Sequence, residues 1–333
     1  MTPKPQKPNI RDIATASGVS VATVSKFVNG KQRFSPEVEA RIRSAVDTYG
    51  YQSNPLARSM ITGKTMVVGV VILDIRNPYF TAIVKGVNRA AVAAGYSVLV
   101  VDTEENRTPE RQLVENMARW VDGLIVSSRL PEESVSWLAT LGKPVVSFGR
   151  LGRLGVHSVS CDGHRGAYMV GRYLVESGHR RIAFVGFPAS RWNADRLRGL
   201  SEALAESHLK PQHFEVAAPS AEAGEAIAST VLLGADRFDA VVAYNDLIAL
   251  GLMSAAQSYG LQIPEQLSVI GFDNILYGRY VTPQLTTIDM FSEQLGELAM
   301  NRLQEVIAGT LTPFDEVREP RLVLRASTRQ RNT

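Results

Sequence analysis

The sequence predicts a small all-α head followed by a larger α/β body of two lobes, each lobe a parallel sheet wound with helices. Three observations point there. At 333 residues the chain exceeds one ordinary core, so two or three domains are expected. The charge is divided: residues 1–64 hold ten Lys/Arg against four Asp/Glu, and the remainder holds 26 against 29. From Met66 onward, β-branched runs alternate with amphipathic stretches, the pattern of parallel sheets covered by helices. A basic head on a slightly acidic body suits nucleic acid bound at one end, with a solvated, lysine-rich terminus as the alternative.

The head reads as three helices. Asn9 caps a helix over 9–17, with Asp12 placed to complete a capping box, and Gly18 allows the tight turn that follows. Ser20 caps a second helix through about Asn29, and Gly30 sits at its C-terminal cap. The third starts at "SPE", with Ser35 as cap, Pro36 in the first helical position and Glu37 favourable to the dipole. Val38, Ile42, Ala45, Val46 and Tyr49 repeat at helical spacing, and Gly50 ends it. Two short helices about a Gly turn, buttressed by a third, form a helix-turn-helix.

In such a unit the second helix enters the major groove with its first turn against the bases. Val21 and Ala22 are small and uncharged, so they let the backbone approach and can touch thymine methyls. Lys26, one turn on, can donate to guanine O6 and N7. Ser20, Thr23, Ser25 and Asn29 are placed to bond phosphates. Val24 and Val28 are the expected buried face. Val21 shares their helical stripe, so it is either core or a contact residue.

In the body the β-branched runs are "MVVGVVIL", "YSVLVV", "GLIVS", "PVVSF", "RIAFVG", "DAVVAY" and "LSVIGF", with helices expected at about 79–94, 108–118, 163–178, 192–208, 220–234, 245–259 and 292–308. These are too many strands for one compact sheet, and "VVGVVI" and "RIAFVG" each open a lobe. Ligands of open parallel sheets gather beyond the carboxyl ends of the strands. There the sequence places Asp74 with Tyr79 and Phe80, then Asp102, Ser128 and Arg129, Arg150, Phe187 with Trp192 and Arg196, Asn245 and Asp246, and Asp273 and Asn274. Asp, Asn and Arg among aromatic rings suit a polyhydroxylated ligand. Helix capping is the alternative, and it is the favoured reading for Asp246, Asp102 and Asn274.

"IRDIATASGVSVATVSKFVNG" and "YGYQSNPLARSMITGKTMVVGVV" resemble the lactose-repressor (LacI/GalR) family, and the resemblance runs on to "RLVLRASTR". It implies a hinge helix from Asn54 to Met60 that folds only on DNA, capped by Asn54 and started by Pro55. Asn54, Leu56, Ala57, Arg58 and Met60 become further DNA-binding positions. Met60 stands where the family has a Leu that wedges into the minor groove at the operator centre. Lys26 stands for the usual Arg, keeping a donor but losing the bidentate fork. The implied body is the fold of periplasmic sugar-binding proteins, with crossings between lobes near 161–164, 289–292 and 322–325. The domains are then a head over 1–50, a hinge and linker over 51–65, an N-terminal lobe of 66–163 with 290–321, and a C-terminal lobe of 164–289 with 322–333.

Matching family motifs assign effector roles to Asn245 in "YNDLIALG", Asp273 in "GFDN", Arg196 in "DRLRG" and Arg150 in "SFGR". With Tyr79, Phe80 and Trp192 they form the expected effector set. Pentose binders often carry Asp where Gly149 stands, and Met290 replaces a polar residue. Both departures argue against a ribose-like ligand and leave room for something larger or less polar. The function implied is a DNA-binding transcription regulator, a repressor that binds a palindromic operator as a homodimer and responds to a sugar-type effector between the lobes. No heptad tail follows "RLVLRASTR", which points to a dimer rather than a tetramer.

Other classes are disfavoured. The single cysteine, Cys161, rules out an internal disulfide, the N-terminus has no apolar signal core, and no apolar run is long enough to span a bilayer. A cytoplasmic protein without a membrane partner is expected. "TGKT" at 62–65 lacks the Gly of a phosphate loop, since Arg58 occupies that position. There is no G-x-S-x-G, no G-x-G-x-x-G after a strand, and no metal-ligand spacing among the five histidines. We therefore expect neither an enzyme nor a cofactor or metal. His179 in "SGHRR" reads as structural. The rival class is a transport-type solute receptor with the same two lobes, against which the basic head counts.

Overall fold

The computed structural model describes residues 8–28, 32–51, 63–151, 154–234, 237–309 and 312–329. It divides into two compact units, Met1–Thr65 and Met66–Thr333. In the first, α1 (Ile10–Ser17), α2 (Val21–Val28) and α3 (Pro36–Tyr49) close on a core of Ile13, Ala14, Val24, Ile42 and Ala45. The Asn9 side chain accepts from the Arg11 amide at 2.8 Å, and Asp12 accepts from the Asn9 amide at 2.8 Å, so the capping box forms. Gly18 ends α1 in the left-handed region at φ 65°, which turns the chain into α2. Ser35 occupies the cap position of α3, but its hydroxyl makes no capping bond. Glu39 reaches back instead and accepts from the Phe34 amide at 3.1 Å.

The second unit holds two six-stranded sheets. The first contains β1 (Val67–Ile72), β2 (Ser97–Asp102), β3 (Gly123–Val126), β4 (Val145–Phe148), β5 (His157–Cys161) and β11 (Asp315–Arg318), in the order β11-β5-β4-β3-β1-β2, all parallel. The second contains β6 (Ile182–Gly186), β7 (Gln212–Glu215), β8 (Ala240–Ala243), β9 (Ser268–Asp273), β10 (Thr286–Asp289) and β12 (Arg321–Val323), in the order β12-β10-β9-β8-β6-β7. Among the described residues only the β10–β12 pair is antiparallel. The chain passes from the first sheet to the second after β5, returns after β10 and crosses again after β11. Each sheet reverses its strand order once, between β1 and β3 and between β6 and β8, and such switch points are where α/β sheets bind ligands.

The helices are α4 (Pro78–Ala93), α5 (Arg107–Ala118), α6 (Gly163–Glu176), α7 (Arg191–Ala205), α8 (Ala221–Leu232), α9 (Asp246–Ser258) and α10 (Ser292–Ile307). Each matches a helix expected from the sequence. Five strands do not: β5, β7, β10, β11 and β12 are short and polar, reading "HSVSC", "QHFE", "TTID", "DEVR" and "RLV". Their pairing comes from where the chain returns to a sheet, not from local propensity. The lobe cores are built from fully buried strand residues such as Val70, Ile125, Phe184 and Phe272. His179 is buried between the Leu174 carbonyl at 3.2 Å and the Ser268 hydroxyl at 2.8 Å, joining the end of α6 to β9.

Helix pairs pack against each other through glycine. In the first lobe, a Cβ on Gly86 of α4 would collide with the Glu293 carbonyl of α10, and one on Gly296 would collide with the Ile83 carbonyl. In the second, Gly224 of α8 and Gly251 of α9 meet in the same reciprocal way. These carbonyls belong to helix backbone and cannot move aside. Gly86→Ala should therefore destabilise the body by about 1–3 kcal/mol or more, read as a lowered midpoint in chemical unfolding.

Candidate functional site

On α2 the side chains divide by burial. Val24 is fully buried, while Val21 is 41% exposed. The shared stripe is thus broken at its first position, and Val21 stands outside the core. Ser20, Ala22 and Lys26 are exposed, Thr23 and Ser25 half-buried. Val28, expected in the buried face, is only half-buried, packed at the edge of the head core. The Ser20 hydroxyl accepts from the Thr23 amide at 3.1 Å and pairs with its hydroxyl at 2.8 Å. Lys26 Nζ donates to Gln32 at 3.1 Å and is otherwise directed away from the core. Ser20, Val21, Ala22 and Lys26 thus form a surface that ends in a cation. Asn29, Asn54, Leu56, Ala57, Arg58 and Met60 lie outside the described residues.

In the body, one cavity sits between the carboxyl edges of the two sheets. Tyr79, Phe80, Trp192, Arg196, Asn245 and Asp273 all line it. Arg150 does not: its side chain is 53% exposed and pairs with Asp162 at 2.8 Å. The expectation for Arg150 is corrected by the turn after β4, which sends the guanidinium outward. Arg129 and Arg191 line the cavity in its stead. Arg129 follows β3 and was visible as a strand-end residue. Arg191 is the first residue of α7, and no sequence motif marks it.

Asp273 is held by its backbone. Its φ is +106° and that of Asn274 is +56°, conformations that L side chains adopt rarely. The bracket that enforces them is Asp246, fully buried, which accepts from the Ile275 amide at 2.8 Å and from the Thr287 hydroxyl at 2.5 Å. Gly271 makes room for it, since a Cβ there would strike the Asp246 side chain. Asp246 is therefore not a helix cap. The cap of α9 is Asn245, whose Oδ1 accepts from the Ile248 amide at 2.9 Å and whose Nδ2 donates to the Pro219 carbonyl at 2.9 Å. Asp102 accepts from the Glu104 and Ile75 amides, both at 2.9 Å, and Asn274 accepts from Arg325; neither caps a helix.

Burial raises the Asp273 carboxyl to about 6, although the facing Arg196, and Arg129 more weakly, oppose the shift. Arg196 Nη2 lies 3.4 Å from Asp273, and its Nη1 donates to the Tyr244 carbonyl. Its guanidinium is sandwiched between the Tyr244 and Phe272 rings, at 4.5 and 4.4 Å from their centroids. Asp246 is pushed well above the usual carboxylate range by burial and by the charge of Asp273. Across the cavity, burial pushes the Cys161 thiol up to about 12, so it lines the wall as an inert apolar group. Arg129 pairs with Glu105 and donates to the Ser190 hydroxyl at 3.1 Å, and Arg191 donates to the Phe148 carbonyl at 2.7 Å. Both arginines thereby tie one lobe to the other. Among the described residues there is no cluster of three metal-ligating side chains and no helix long and apolar enough to cross a membrane.

Residues 9–54 match the profile of the bacterial regulatory proteins of the lacI family, and residues 172–328 match that of the periplasmic binding protein-like domain. The chain is 35% identical over 304 residues to the transcriptional regulator GalR of Salmonella typhimurium (strain SL1344), covering 87% of this chain and 88% of that one.

The chain belongs to the LacI/GalR family.

A lac repressor dimer bound to operator and an anti-inducer shares its fold, with a TM-score of 0.89 at 24% identity over 97% of this chain and 99% of that one. A complex of the regulator CelR with cellobiose matches at a TM-score of 0.71 and 27% identity over 96% and 99%. As a LacI/GalR protein the chain is a DNA-binding transcription regulator and not an enzyme.

The burial pattern of this regulator's head separates two neighbouring valines. Val24→Ala should cost about 1–3 kcal/mol of head stability, because it empties core volume. Val21→Ala should leave thermal unfolding within about 0.5 kcal/mol of the parent and weaken DNA binding in a mobility-shift titration.

Proposed function

We propose that the protein is a cytoplasmic repressor that binds a palindromic operator as a homodimer and is controlled by a sugar-type effector held between the lobes. The observation that carries the effector half is the convergence of Arg196, Asn245 and Asp273 on one cavity walled by Tyr79, Phe80 and Trp192. Donors, an acceptor carboxylate and ring faces are together what a polyol requires. The cellobiose bound by CelR supports the ligand class. The operator-bound lac repressor dimer supports the palindrome, since two heads on a two-fold axis match two half-sites.

The mechanism follows from where the bonds lie. Lobes already tied through Arg129 and Arg191 change their mutual closure when a ligand enters the cavity. In the dimer, that closure sets the spacing of the hinge segments over 51–65, and with it the fit of heads 1–50 to the operator. Met60 acts there as the apolar wedge at the central step. Effector and operator are thus coupled through closure, and each changes the affinity for the other by the same factor.

Two measurements test this reading. Lys26→Ala should cost about 1–3 kcal/mol at the operator and relax preference at one base pair per half-site, read by selection from randomised operators. Equal weakening on every sequence would make Lys26 a phosphate contact. Asp273→Ala should lower effector affinity at least tenfold, about 1.4 kcal/mol or more, while operator affinity without effector stays near the parent value.

A pH dependence accompanies the second. The Asp273 carboxyl titrates near 6 in the unliganded fold, so lowering the pH through that value neutralises the acceptor. Affinity for a hydroxyl-bearing ligand should fall between about pH 8 and about pH 5. In Asp273→Asn this component should vanish, and calorimetric titration at several pH values would show a flat profile.

A further inference from the structure

We propose that the effector of this cleft carries an anionic group, a carboxylate or a phosphate, and that Arg191 is its principal partner with Arg129 beside it. The inference rests on the cleft being the effector site and narrows the class of molecule it takes. Three arginines line the cavity, Arg129, Arg191 and Arg196, against one carboxylate, Asp273. Arg129 is answered by Glu105 and Arg196 by Asp273. Arg191 has no carboxylate within ion-pair distance among the described residues. Its Nη2 bonds the Phe148 carbonyl, and its Nε and Nη1 are buried with no hydrogen-bond partner.

A guanidinium with two orphaned donors is costly to bury, because its charge loses water and forms no ion pair; Glu132 and Glu110 attract it only at a distance. The neighbouring charge of Arg129 adds to the cost; burial and that charge together hold Arg191 below the usual guanidinium range. The surroundings favour a negative guest. The Ser127 and Ser160 hydroxyls, also on the cavity wall, are buried without partners, as is Arg196 Nε. The starts of α4, α6, α7 and α9 all border the cavity, through Asn77, Gly163, Arg191 and Asn245, and helix N-termini carry partial positive charge. Gly149 leaves open the space against Arg191, where a Cβ would lie 3.2 Å from Nη2. The site has a surplus of donors and positive charge that a neutral sugar leaves unanswered and a carboxylate or phosphate oxygen satisfies.

The test uses the full-length chain in a thermal-shift assay followed by calorimetry. Probes are D-glucose and D-galactose, their uronic acids, their 6-phosphates, and inorganic phosphate. At least one anionic sugar is expected to bind about tenfold or more tightly than its neutral parent. The acids and the phosphates tell which oxyanion is preferred, and inorganic phosphate tells whether the anion suffices without the sugar body. Arg191→Met should abolish the preference and Arg191→Lys should keep part of it. If Arg191→Met does not fold, Arg191→Gln takes its place.

Neutral parents that bind as tightly as the anions, or a preference unchanged in the variants, would overturn the proposal while leaving the cleft as a sugar site. If no probe, neutral or charged, binds the folded protein, the proposal and the effector reading fall together.

Discussion

Desolvated positive charge is the constraint on which the body of this protein depends. A guanidinium taken out of water needs a counter-charge, a carbonyl or an aromatic face, and the cavity supplies each in turn. Arg196 has two rings, a carbonyl and Asp273; Arg129 has Glu105 and Ser190; Arg191 has a carbonyl from the opposite lobe. Satisfying these groups requires the ends of β3 and β4 to meet the start of α7. Part of the contact between the lobes is therefore made by residues that line the cavity, Arg129 and Arg191. In the proposed reading, an effector there competes with, or completes, the bonds that hold the lobes together.

The same economy governs the acidic side. Asp246 is fully buried and holds the turn after β9 in a conformation that the chain would otherwise avoid. That strain aims Asp273 at the cavity, and burial lifts its carboxyl toward neutrality. A carboxylate kept short of solvent forms its strongest bonds with a ligand that enters the cavity. Rigid strand ends deliver the polar groups, while Phe80, Met290 and Leu295 supply apolar wall around them. The head obeys a simpler rule. Its small core leaves one side of α2 uncommitted, and the exposed Val21, Ala22 and Lys26 are affordable there because Val24 alone anchors the middle of the helix.

Much of the candidate site was legible because strand-end residues in α/β sheets are readable as a class. Asp273, Asn245 and Arg196 follow apolar runs or open helices whose ends are plain in the sequence. Arg150 satisfies the same rule but does not line the cavity, since its side chain is turned outward to Asp162. Arg191 carries only a weak signal in the sequence: it starts a helix, where a basic residue is locally unfavourable, and that mismatch with the helix dipole is its one local trace. Asp246 reads as a cap in the sequence for a related reason: Asn and Asp stand side by side in "YNDLIALG", and either can cap, whereas the structure gives that role to Asn245.

Local chemistry by itself determined the three-helix head, the alternation of strands and helices, and the apolar strands of both lobes. Those depend on caps, glycine turns and periodicity, all of which act within a few residues. The tertiary structure alone decided the five short polar strands, the return of β11 and β12 to different sheets, and which arginines share the cavity. Pairing of "DEVR" with β5 and of "RLV" with β10 depends on backbone hydrogen bonds to strands more than a hundred and about thirty residues away in the chain, respectively. No local pattern encodes such a partner. The meeting of Arg191 with Phe148 is of that kind, made where two lobes close and buried charge has to find an answer.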